Sequence, residues 1–227
     1  MSTKYYVSLL VIILALASCG ASQSTPLGSG TPATSEKVTP HTSGKVTSQW
    51  LFDSDPRGGL PAGAEVFSGN WVVRAESDAP TSPNALCQTG QATFPALSLS
   101  PATYTDLAVS VRFKPISGAV DQAAGIIFRI QDKNNYYIVR ANALENNVDI
   151  FKYSGGVRSL IQEGSATVVS GKWQELRIEA IGNSIRGYLN NQQVVKANDE
   201  SFKTGKIGLW TKADSVTCFD NVQLFVL

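Results

Sequence analysis

Histidine is almost missing from this chain. The single one, His41, stands in the front segment, so nothing after it can supply the imidazole of a Ser-His-Asp triad or a His-ligated zinc. Charge of either sign is also not in excess. Lys and Arg number 19 against 18 Asp and Glu, and removing the first 18 residues takes away Lys4 and no acid, leaving 18 against 18. Binding to nucleic acid usually needs a basic face that displaces counterions, so a net charge near zero argues against that partner. It is equally unlike a strongly acidic, disordered chain. Long hydrophobic runs are absent: the longest, residues 7–17, has 11 residues including one serine, too short to cross a bilayer as a mature helix. No amphipathic helix and no internal repeat can be read anywhere.

What is present falls into three parts. Residues 1–19 read as an export signal, with Lys4 as the positive start and VSLLVIILALA as the apolar centre. Leu16-Ala17-Ser18-Cys19 follows and resembles the lipobox of bacterial lipoproteins, which implies lipidation of Cys19 and an exported protein anchored to the cell envelope. An ordinary secretory signal with a chance cysteine is the alternative. Several acyl chains hold a protein stably, at about 0.8 kcal/mol per buried CH₂. Gly20 stands where the enteric inner-membrane retention signal would place an aspartate. Residues 20–48 are rich in Ser, Thr, Gly and Pro and read as a flexible tether. The folded domain is expected over residues 49–227, roughly 180 residues, enough to bury a full core.

In that last part apolar residues recur at every second position. Leu107, Val109, Val111 and Phe113 alternate with Ala108, Ser110 and Arg112. Leu176, Ile178 and Ala180 alternate with Arg177 and Glu179, and Val222, Leu224 and Val226 close the chain in the same rhythm. Such alternation predicts strands with one buried face. Gly, Asn, Asp and Pro at 115–118, 132–135, 145–147, 154–156, 182–184 and 190–191 supply the reversals. Short strands with polar turns predict an all-β sandwich or jelly roll, and connections this short require antiparallel pairing. Cys87 and Cys218 remain as an even pair in an exported chain, either bridged or two buried thiols.

Four segments carry a family likeness: DQAAGIIFRIQDKNNYYIVRANALENNVDIFK (121–152), GKIGLWTKADSVTCFDNV (205–222), Gly69-Asn70-Trp71 and Lys172-Trp173. Together they resemble the concanavalin A-like lectin/glucanase superfamily. Within it the likeness is to the 3-keto-disaccharide hydrolase domain family, often labelled family 16 glycoside hydrolase or laminin-G-like. The resemblance implies a jelly roll of two curved antiparallel sheets with ligands on the concave face, and it does not settle an activity. The family 16 catalytic strand, Glu-x-Asp-x-x-Glu with its paired carboxylates, has no counterpart here. Glu145 and Asp149 come nearest but enclose a turn, while Glu175 and Glu179 are expected to face solvent.

The central strands nominate the site. Gly125, Ile127 and Arg129 should share one face and Ile126, Phe128 and Ile130 the other; Tyr136, Ile138, Arg140 and Asn142 oppose Tyr137, Val139 and Ala141. A groove of Arg129, Tyr136, Arg140, Asn142, Asp149, Trp210 and Lys212 would offer rings to the apolar face of a sugar and hydrogen bonds to its hydroxyls. The alternative is a solvated face whose cations pair with Asp121, Asp132 and Asp149, each pair contributing about 0–1 kcal/mol. Trp71 and Trp173 read as core or edge packing. Asp220 invites comparison with the calcium sites of related sandwiches; no Asp-rich loop supports calcium, and turn capping is the preferred role. No other cofactor is called for. A tethered, non-catalytic carbohydrate-binding module is the first reading. A hydrolase of 3-keto-disaccharides using Asp121, Asp132, Glu145, Asp149 or Asp214 is the alternative, and a laminin-G-like adhesion module the third.

Overall fold

A computed structural model describes residues 45–227. The export signal, Cys19, His41 and the tether as far as residue 44 lie outside the described residues. Regular structure opens with β1 (Val46–Trp50), β2 (Glu65–Ser68), β3 (Trp71–Ala75), β4 (Asn84–Gln88) and β5 (Ala96–Ser98). The long central strands are β6 (Leu107–Ser117), β7 (Ala123–Asp132), β8 (Asn135–Asn142), β9 (Asn147–Ser154) and β10 (Val157–Gln162). They are followed by β11 (Gln174–Ile181), β12 (Ser184–Leu189), β13 (Gln192–Asn198), β14 (Lys206–Trp210) and β15 (Val216–Val226). No helix occurs among the described residues.

The strands form two antiparallel sheets, the all-β sandwich that alternation predicts. One has the order β13-β12-β11-β6-β15-β4-β3, with β1 paired to the far end of β15, and the other β10-β9-β8-β7-β14-β5-β2. Every second residue of the facing strands enters the main core. Leu107, Val109, Val111 and Phe113 of β6 meet Ile126, Phe128, Tyr137, Val139 and Ile150 from the opposite sheet, all at most 1% exposed. At about 25 cal/mol per Å² of apolar surface removed from water, these side chains supply the dominant favourable contribution to folding. Leu176, Ile178, Ala180, Val222 and Leu224 enter as the alternation predicts, whereas Val226 is exposed.

In β7 the alternation breaks. Arg129 adopts φ +49°, and the pairing of β7 with β8 shifts register between Phe128 and Asp132. This is a β-bulge, which inserts a residue and reassigns the faces beyond it. The strand beside it answers with its own shift between Lys206 and Gly208. Gly205 makes the close approach possible, since a Cβ there would lie 2.4 Å from the Arg129 carbonyl carbon, on a backbone at φ +155°.

Cys87 and Cys218 are directly opposed in the β4–β15 ladder and joined by a disulfide, so the bridged alternative holds in this structure. They lie with Ala85 beneath half-buried Trp173 and Ile116, while Trp71 is buried against Phe219 in the main core. A cross-link closing a separation of 131 residues restricts the unfolded chain strongly. Replacing both cysteines with Ala is expected to leave the sandwich folded but to lower its unfolding free energy by about 2–5 kcal/mol in urea melts. An unchanged midpoint would show that the bridge adds nothing.

Candidate functional site

The face of the seven-stranded sheet turned away from the core is not bare. It carries a second apolar cluster containing Ile127, Ile130, Tyr136, Ile138, Phe151 and Trp210, with Phe67, Phe94 and Tyr153 packed on top. Register explains the layout. Tyr136 opposes Tyr153, Ile138 opposes Phe151, Arg140 opposes Asp149, and Asn142 opposes Asn147 across β8 and β9. Directly opposed side chains on one face are neighbours, so this hairpin lays down an aromatic row that passes into a polar one.

In the aromatic half, Trp210 crosses β7 at Gly125, where a Cβ would come within 3.3 Å of the indole. Phe94, from the loop before β5, stacks on Trp210 with ring centroids 5.6 Å apart and meets Tyr153 edge-on at the same distance. Trp210 is 0% exposed, so it is not the open sugar platform that the sequence suggests: Phe94 covers it. Tyr136 is likewise buried, against Tyr153 at 4.9 Å. The accessible rings are Phe67, Phe94 and Tyr153, all half-buried.

In the polar half, Nη2 of Arg140 donates to Glu145 at 2.6 Å, Asp149 at 2.7 Å and Asn147 at 2.9 Å. Asn142 donates to Asp121 at 2.8 Å, and Lys212 pairs with Asp121 at 2.5 Å and reaches Glu145 at 3.9 Å. Arg140, Asp121 and Asp149 are almost wholly buried. Burial pushes the Asp149 carboxyl above its ordinary range despite the attraction of Arg140. Burial also opposes ionisation of Glu145, but there Arg140, Asn147 and Lys212 outweigh it and the pKa falls. Two carboxylates sharing one guanidinium nitrogen are thus pushed in opposite directions.

Arg129 does not join this group. The bulge turns it away: it donates to the carbonyls of Thr105 and Phe202 at 3.1–3.3 Å and approaches Asp106 at 3.6 Å. Phe202 packs against the main core, so Arg129 belongs to the rim of the sandwich interior, and Ile130 takes the outer-face position instead. Strict alternation through β7 is the assumption that fails. The remaining nominated residues, Tyr136, Arg140, Asn142, Asp149, Trp210 and Lys212, do share the outer face, with Asn142 and Lys212 held by Asp121.

Arg158 of β10 has no signal in the alternation pattern, yet it occupies the centre. Its guanidinium lies 4.4 Å from the Phe151 ring centre, 5.0 Å from Phe94 and 5.7 Å from Trp210. Such cation–π contacts hold it in place, while burial and the neighbouring Arg140 lower its pKa. Its Nη1 is buried without a hydrogen-bond partner among the described residues. Phe94, Arg158, Lys212 and Asp214 line a cleft of about 550 Å³ that opens here. The remaining carboxylates serve the backbone. Asp214 accepts from the N–H groups of Ala119, Val120 and Asp121, which depress its pKa, and Asp132 accepts from Asn134 and Asn135 in the β7–β8 turn.

The Asp220 oxygens accept from the Thr81 N–H at 2.7 Å, the Thr81 hydroxyl at 2.8 Å and the Asn221 N–H at 2.6 Å, the backbone-capping role that the sequence favours for it. Glu179 points outward from the other sheet, as expected, but is not solvated. Tyr188 donates to it at 2.9 Å, Arg177 pairs with it at 3.0 Å, and Arg186 lies at 3.6 Å.

Because Arg140 neutralises a buried carboxylate, it holds the site together. Arg140→Ala is expected to lower stability by about 3–5 kcal/mol in urea melts, mainly because Asp149 is left buried and unpaired. A loss below about 1 kcal/mol, the worth of a surface pair, would mean that the cluster is solvated.

Comparison with known proteins gives three results. Residues 44–224 match the model of the 3-keto-alpha-glucoside-1,2-lyase-like domain. A levanase of Bacillus subtilis strain 168 is 32% identical over 103 residues, 44% of this chain; the match spans 15% of that enzyme's length. Among solved structures, the carbohydrate-binding module CBM66 from Bacillus subtilis superposes with a TM-score of 0.63 at 23% identity, covering 75% of this chain and 99% of the module. The Bacillus licheniformis beta-glucanase superposes with a TM-score of 0.52 at 14% identity, covering 79% and 97%. These structural likenesses establish the concanavalin A-like jelly-roll fold. By the match over residues 44–224, this chain belongs to the 3-keto-alpha-glucoside-1,2-lyase-like domain family.

Proposed function

We propose that residues 45–227 form a non-catalytic carbohydrate-binding domain whose site is the cleft between Phe94, Arg158 and Lys212. The Arg158 guanidinium carries this reading: it lines the cleft, is held by aromatic rings and has no carboxylate partner among the described residues. The N–H groups of a guanidinium can donate to the hydroxyls of a ligand. Phe94 beside Arg158 supplies the apolar surface that a sugar ring needs. Charges of both signs surround the cleft, Asp121, Glu145, Asp149 and Asp214 with Arg140, Lys212 and Arg158, which suits an uncharged, polyhydroxylated ligand. The similarity to a carbohydrate-binding module and to a levanase puts levan first among the glycans to try.

Arg158 is the residue to test, because it has no carboxylate partner to strand. Arg158→Ala should weaken retention on the bound glycan by about tenfold, the equivalent of roughly 1.4 kcal/mol, with thermal melts monitoring the fold. Native retention by this variant on levan, inulin and β-glucan columns would sink the reading. A hydrolase is the second reading, favoured by the opposed shifts of Asp149 and Glu145, the pattern that divides acid from base work. Release of sugar from a 3-keto-glucoside, lost in Asp149→Asn, would favour the enzyme.

The front segment suggests where the domain is held: lipidation at Cys19, which its lipobox likeness implies, would anchor the chain to the envelope. Expressed in a bacterial host, the native chain should take up labelled palmitate and partition with membranes, and Cys19→Ala should do neither. Equal labelling of the two would exclude the lipobox.

A further inference from the structure

We propose that the outer face of the seven-stranded sheet carries a track of three consecutive sugar subsites, so that the ligand is a chain and not a single terminal unit. The inference rests on the carbohydrate reading above and extends it. Three clefts lie in sequence on this face. The first, of about 550 Å³, is the one that holds Arg158 and Lys212. The second, of about 530 Å³, shares Ala92, Thr93 and Phe94 with the first and continues over Tyr136 and Tyr153 to Phe67 and Lys133. The third, of about 380 Å³, shares Phe67 and Lys133 with the second and ends at Gln131 and Lys206. Each volume lies in the range of clefts that take small ligands, about 300–1,000 Å³.

Shared walls make these clefts one path. Phe94 stands between the first and second, and Phe67 between the second and third, so linked units would touch each ring from both sides. The path follows β7 and β8 from the end bearing Val120 and Lys212 to their turn at Asp132 and Lys133. Its chemistry repeats. Every cleft combines an aromatic edge with side chains that hydrogen-bond: Arg158 and Lys212 in the first, Ser68 and Asn134 in the second, Gln131 and Lys206 in the third. Charges of both signs line it, Arg158, Lys212, Lys133 and Lys206 beside Asp214, Asp132 and Glu65, and two of the lysines are in ion pairs, Lys212 with Asp121 at 2.5 Å and Lys206 with Glu65 at 3.4 Å. Such a surface suits a neutral glycan and gives a polyanion no advantage.

Titration calorimetry with levan, inulin and β-glucan oligosaccharides of one to five units tests the track. For the series that binds, Kd should fall by about tenfold with each of the second and third units, the worth of one aromatic contact, and then level off. Ser68→Trp, which fills the second cleft, should bind every length like the single unit. Lys133→Ala, at an exposed position, should weaken the three-unit ligand several-fold and leave the single unit unchanged; it keeps the test open if Ser68→Trp misfolds. Affinity independent of length would overturn the track, and if that binding still needs Arg158, the carbohydrate reading survives. No binding of any length in any series would remove both.

Discussion

The pairing of β8 with β9 is the constraint on which this surface depends. Direct opposition places Arg140 against Asp149 and Ile138 against Phe151, and the period of two keeps Val139 and Ile150 in the main core. A slip of β8 by one residue would put the Arg140 guanidinium between the sheets and turn Val139 out of the core onto the outer face. Core and site are therefore specified by one register. The buried ion cluster adds to that specification, since Asp149 has a partner only when the hairpin is aligned.

A sheet buried on both faces is the second consequence. Trp210 and Tyr136 lie on the face away from the core, yet both are enclosed, because Phe94 and Arg158 cover Trp210 and Tyr153 covers Tyr136. The exposed part of the site therefore comes from a loop and an edge strand, while the central strands supply the floor. Loops carried on a rigid scaffold are where binding residues tend to gather.

The outer face of the other sheet offers an instructive contrast. It too holds a buried carboxylate, Glu179, among arginines and a tyrosine. There Tyr188, Arg177 and Arg186 all address the carboxylate, and the Tyr188 hydroxyl is pushed up to about 12 by burial and by its bond to Glu179. A network whose acceptor is satisfied serves stability and register. Around Arg158 the aromatic rings provide the attraction, and rings accept no conventional hydrogen bond from Nη1.

Alternation determined the all-β class, the inward residues of β6, β8 and β11, and the gathering of Arg140 and Asn142 on one face, because side-chain direction in a strand is a local property with a period of two; the short connections determined the antiparallel pairing. The polar turns were legible for the same reason, as Asp132-Lys133-Asn134-Asn135 closes its own hydrogen bonds. Tertiary structure alone decided the rest. The bulge at Arg129 arises where β14 and Gly205 press against β7; the covering of Trp210 depends on a loop more than one hundred residues earlier in the chain; and Arg158 acquires its meaning from rings on β9, β14 and that loop. Such contacts join segments distant in sequence, and no local pattern records which of them meet.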